Sequence, residues 1–129
     1  MIKLSFIKPD SLERNCKATI HKSGKLGFTE NAIKKMLLDG TKGVMIAQNE
    51  EDSLDTSFYL AVVDGNTPDS FKVSKAGAYY YINTKALFDN LKMDYLKETF
   101  SYDVKDFEYG DQKMFKLIKR EDGRKIETE

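Results

Sequence analysis

A chain of 129 residues falls in the commonest size range for one domain and, at that length, buries about two-thirds of the surface its unfolded form exposes. Apolar residues make up 40% and charged residues 33%, a globular composition that excludes a disordered chain. Lysine plus arginine and aspartate plus glutamate each number 21, so the net charge is zero and a whole-chain basic field is excluded.

The charge is unevenly spread. Residues 1–25 carry six cations against two acids, whereas residues 26–71 carry three against eight. A basic partner surface would therefore draw on the first stretch, joined by Lys72 and Lys75. The single cysteine, Cys16, excludes an intrachain disulfide and a thiolate metal cluster. Residues 1–10 lack a continuous apolar run and no segment reaches the length of a membrane helix, so a cytoplasmic protein with no membrane contact is expected.

In chain order, Leu26 and Phe28 alternate after a Ser23-Gly24 turn signal and predict a tight hairpin over 18–28. Thr29 is placed to cap a helix bearing Ala32, Ile33, Met36 and Leu37 at helical spacing, with Gly40 as its stop. Next come a strand at 44–47, an acidic loop at Glu50–Asp52 and a strand at 58–63, closed by Asp64-Gly65. The order then recurs. Phe71–Val73 leads through a turn at Lys75–Gly77 to Tyr79–Ile82, and Asn83 or Thr84 caps a helix bearing Ala86, Leu87 and Leu91. Phe100, Tyr102 and Val104 alternate with Ser101 and Asp103, and Tyr109–Asp111 turns into a closing strand at 114–118. Residues 120–129 read as a charged tail.

This recurrence predicts an α+β fold: one domain over 1–129 made of two tandem ββαββ units, 18–65 and 71–119, about a pseudo-two-fold axis. Its sheet would be mostly antiparallel, or a small barrel, with two short helices. Overlaying Ile20–Gly24 on Val73–Gly77 sets Tyr79 and Tyr81 on the core positions Leu26 and Phe28, and turns Tyr80 outward beside Lys75.

Residues with chemical potential are sparse. His21 is the only histidine, and no carboxylate or cysteine lies at ligand spacing from it. For Cys16, beside Lys17, the sole candidate base is His21, which sequence proximity does not place against it, and the acids around Asp52–Asp69 lack the periodicity of a calcium loop. No phosphate-cradling glycine motif occurs. A non-enzymatic protein without catalytic residues, metal or cofactor is expected.

The run Lys22–Phe28, the capped helix after it and the stretch Asp39–Ile46 resemble the swapped-hairpin unit of AbrB-type DNA-binding proteins. Two copies in one chain resemble the MraZ arrangement. The resemblance covers 18–63 closely and 71–118 loosely. Thr29 stands where that family has proline, and Lys34 and Lys35 stand where it has arginine. It implies interlocked units and DNA contacts from basic residues around the first hairpin and helix. The expected function is thus a small nucleic-acid-binding or regulatory protein contacting DNA or RNA through Lys17, Lys22, Lys25, Lys72, Lys75 and Tyr80 at the two hairpin turns. The alternative is a protein–protein interaction or assembly module with no nucleic-acid role. A monomer or weak homodimer is expected.

Overall fold

The computed structural model describes residues 2–6, 16–65 and 67–120. The tail expected over 120–129 lies outside the described residues from 121 onward.

Eight strands carry the chain: β1 (Lys17–Ile20), β2 (Leu26–Phe28), β3 (Lys42–Ala47), β4 (Phe58–Asp64), β5 (Phe71–Ala76), β6 (Tyr79–Ile82), β7 (Phe100–Tyr109) and β8 (Gln112–Lys119). Helix α1 (Glu30–Met36) and helix α2 (Lys85–Asn90) interrupt them. All pairings are antiparallel and close a barrel in the order β1-β2-β6-β5-β3-β4-β8-β7, with β7 returning to β1. An eight-stranded barrel is just wide enough for side chains to fill its interior. Val44, Leu60, Val73, Ile82, Tyr102 and Leu117 do so here.

This corrects the α+β fold of two tandem ββαββ units. The helices have only seven and six residues, and their buried side chains, Ala32, Met36 and Phe88, join the barrel's own core. They form no layer of their own, because helices this short gain little cooperativity and depend on the sheet they cover. Nor does either half of the chain form a unit. Within each half the two hairpins do not pair with one another; β2 pairs with β6, β3 with β5, β4 with β8 and β1 with β7. The strand order reads the same when each strand is exchanged for the one four along, but it belongs to one closed sheet.

Three local expectations also change. Helix α1 ends before Gly40, because Leu37 takes the left-handed conformation (φ 58°) and donates its N–H to the Ile33 carbonyl. Leu37 is therefore exposed and Leu38 is buried in its place. Tyr80 points inward opposite Phe28, while Tyr79 and Tyr81 point outward, the reverse of the expected orientation. The third concerns Thr84. It precedes α2 but does not cap it; its hydroxyl donates to the Gly24 carbonyl at 2.9 Å.

That last bond clamps the β1–β2 turn to the segment between β6 and α2. Gly24 adopts φ +85°, and a β-carbon there would lie 2.7 Å from Lys85 Cγ and 3.0 Å from Lys85 Cα. Thr29, by contrast, does cap α1: its Oγ1 accepts from the Ala32 N–H at 3.4 Å and from the Lys17 N–H at 2.9 Å. Urea unfolding should show Thr84→Val losing about 1–3 kcal/mol, because a buried carbonyl is left unpaired. Gly24→Ala should lose at least about 1–2 kcal/mol for its left-handed backbone. Thr84→Ser should retain most of the stability, and changes of a few tenths throughout would refute the clamp.

Candidate functional site

The barrel presents two outer walls, β1-β2-β6-β5 and β3-β4-β8-β7. On the first wall the β1–β2 turn is closed by His21 N–H to the Lys25 carbonyl (2.9 Å) and Gly24 N–H to the His21 carbonyl (2.8 Å). His21 and Lys25 are therefore the last facing pair of the hairpin. Alternation from buried Ala18, Ile20 and Leu26 sends both outward, together with Thr19 and Gly27. The β2–β6 register sets Tyr81 beside Gly27, with Tyr79 on the same outer side.

Gly27 makes room for the aromatic rings. Having no side chain, it leaves its place on the wall to the Tyr79 ring, and a β-carbon there would collide with Tyr79 Oη and His21 Nε2. Those two atoms share a hydrogen bond, and the rings meet edge to face with centroids 5.5 Å apart. Tyr79 also stacks on Tyr81 at 6.2 Å and 24°. Lys25 Nζ lies 4.8 Å from the Tyr81 centroid, within cation–π range. Burial holds the Tyr79 phenol above its ordinary pKa, so it stays protonated at neutral pH. Together with Ser23 and Ala76 these residues line a depression of about 310 Å³.

The expected site residues do not form one cluster. Lys25 lies in the depression, and Lys22 is exposed in the adjoining turn. Lys72 points outward from β5, and Lys17 points outward from β1 opposite Asp103, which pairs with Arg120 Nε at 3.0 Å. Lys75 Nζ sits 5.7 Å over the Tyr80 ring, directly across the β5–β6 hairpin. Because β2 and β6 run antiparallel with Leu26 facing Ile82, the β1–β2 and β5–β6 turns leave their strands toward opposite ends of the barrel. Among the described residues, Lys22, Lys25, Lys72 and Lys75 make no ion pair. Lys34, Lys42, Lys85 and Lys119 do, with Glu30, Asp64, Asp89 and Glu98.

Sequence reasoning missed His21, Tyr79 and Tyr81 as members of the site. The available signal was Gly27, a glycine between two core residues of a three-residue strand, which marks a close approach by another group.

The second wall carries a larger groove of about 620 Å³. Met45, Tyr59, Ala61, Phe107 and Met114 supply apolar lining, Tyr109 is exposed at the β7–β8 tip, and Glu50 and Glu51 belong to the neighbouring loop. Tyr59 packs on Phe107 at 4.9 Å, and Lys116 Nζ lies 5.5 Å over the Tyr59 ring. Asp55 fixes the loop, accepting from Tyr59 Oη (2.5 Å), the Ser57 N–H (2.9 Å) and Asn49 Nδ2 (3.1 Å). These donors, Tyr59 foremost, hold the Asp55 carboxyl well below its usual range.

Among the described residues no group of three or more His, Cys, Asp or Glu side chains is placed to hold a metal ion, and Cys16 is buried. No helix among them is long and apolar enough to cross a membrane. No family model, curated protein or solved structure matches the chain.

Gly27→Ala should displace the flexible ends of Tyr79 and His21 at a stability cost under about 1 kcal/mol. Its His21 imidazole resonances should move as they do in Tyr79→Phe; unchanged resonances would rule out the contact. Because Asp55 has a folded-state pKa below its unfolded value, its contribution is full above about pH 4 and is lost as the pH falls. Asp55→Asn should therefore show a shallower fall in Tm than wild type on acidification from neutral pH.

Proposed function

We propose that the chain is a non-enzymatic nucleic-acid-binding protein whose contact face is the outer wall β1-β2-β6-β5. The observation that carries this reading is the platform of Tyr79 and Tyr81 with Lys25 over one ring and His21 at the edge of the other. Proteins that hold single strands combine aromatic faces, on which unpaired bases stack, with cations that track the phosphates. Lys22 and Lys72 flank the platform without acidic partners among the described residues, which favours phosphate contact over internal pairing. Lys17, opposite Asp103, is a secondary contact, and Tyr80, turned inward, supports the wall from behind. Duplex DNA, the ligand implied by the resemblance of residues 18–63 to AbrB-type units, is the competing ligand within the same reading.

Fluorescence anisotropy with labelled single-stranded and duplex oligonucleotides tests this. Single strands should bind more tightly than duplexes, with affinity falling as salt rises. Tyr81→Ala should weaken binding about tenfold, since a base–aromatic stack contributes about 1–3 kcal/mol. Lys25→Glu should weaken binding and flatten the salt dependence. Binding that is absent at low salt, or indifferent to both variants, would remove this face from consideration.

A further inference from the structure

Residues 2–6 carry a pattern that neither the barrel nor the proposed nucleic-acid face uses. Ile2, Leu4 and Phe6 are 82%, 73% and 86% exposed and alternate with Lys3 and Ser5. Period-two alternation is the signature of an extended segment with one side buried. Here the side meant for burial stands in water. Exposed apolar residues are ordinary singly, but three in register within five positions form a one-sided apolar edge.

The second wall offers the matching surface. Its groove is lined by apolar side chains, including Met45 at 38% exposure, together with Gln48, Asn49 and Gln112, and is bordered by Glu50 and Glu51, which form no ion pair among the described residues. In extended chain, successive same-side residues lie about 6.6 Å apart, so the three apolar groups span about 13 Å. The same two-residue spacing separates Tyr59 from Ala61 and Met45 from Ala47 on the wall. Lys3 brings positive charge to an acidic border. The chain's own apolar segment and apolar groove are complementary in pattern and in charge, yet the segment is solvent-exposed in its own molecule.

We propose that residues 2–6 of one chain dock, extended, in the β3-β4-β8-β7 groove of a second copy, in a reciprocal two-fold dimer. Reciprocity places two segments in two grooves, so each contact is made twice. The docking wall lies opposite the wall assigned to nucleic acid, and neither proposal depends on the other.

Analytical ultracentrifugation of the full chain from low micromolar to near-millimolar concentration should show a monomer–dimer equilibrium. A Leu4→Asp/Phe6→Asp variant and a Met45→Asp variant should each raise the dimer dissociation constant about tenfold or more. Tyr109→Ser is the substitute should Met45→Asp misfold. Mixing the segment-defective and groove-defective proteins should restore a heterodimer, because the intact segment of one meets the intact groove of the other. Lys3→Glu should weaken the dimer, and Glu50→Lys in the same chain should restore it. A protein that stays monomeric throughout overturns the proposal, including the case where the groove is occupied by its own residues 2–6. So does a dimer indifferent to these substitutions, or a mixture that forms no heterodimer.

Discussion

Across the contact between β2 and β6, Leu26 faces Ile82, Gly27 faces Tyr81 and Phe28 faces Tyr80, and this register sets the character of the first wall. Side chains alternate with a period of two, so a slip of one residue would exchange inside for outside along the whole strand. In the observed register Phe28, Tyr80 and Ile82 face the interior. A slip of β6 would turn Tyr79 and Tyr81 inward, burying two hydroxyls. The register that packs the barrel is thus also the one that lays Tyr79 across Gly27 against His21.

Closure of the sheet limits where recognition can occur. A closed barrel leaves no edge strand for another chain to extend, and an eight-stranded interior is filled by its own side chains. Partners are left the turns and loops at the barrel ends and the outer faces, where a small antiparallel barrel normally carries polar groups. Here the two outer walls depart from that norm in different ways. One presents tyrosines with lysines that lack acidic partners among the described residues, and the other presents methionine, tyrosine and phenylalanine beside an acidic loop.

The positions of the strands are legible in the sequence because their signals are local. Alternation in Phe100–Val104, turn chemistry at Ser23-Gly24 and Gly110, and the capping hydroxyl of Thr29 each lie within a few residues of the element they mark. Pairing partners are not legible. Nothing near Phe28 announces that it will face Tyr80, 52 positions later, and without that knowledge the tyrosine triplet can be placed in either phase. The α+β expectation fails for a related reason: two short helices look like a layer until the hairpins they separate are seen to join one sheet. Of the candidate site, Lys25 and its turn can be read from sequence. The aromatic members need the register first, and the groove needs the β7–β8 hairpin brought beside β3 and β4.

The two walls meet along two seams of unequal strength. Four residue pairs join β1 to β7, but only Gly43–Lys72 and Val44–Phe71 join β3 to β5. The shorter seam is a close approach: a β-carbon at Gly43 would lie 2.5 Å from Ser70 Oγ, just before β5. Both seams belong to one closed sheet, so the two walls face away from each other. A two-fold dimer formed through the β3-β4-β8-β7 wall would carry its two aromatic–basic faces outward. A strand long enough to reach both faces would then bind the second intramolecularly, at an effective concentration set by the spacing of the faces. Avidity of that kind would need only the two-fold contact between copies and the same face repeated on each.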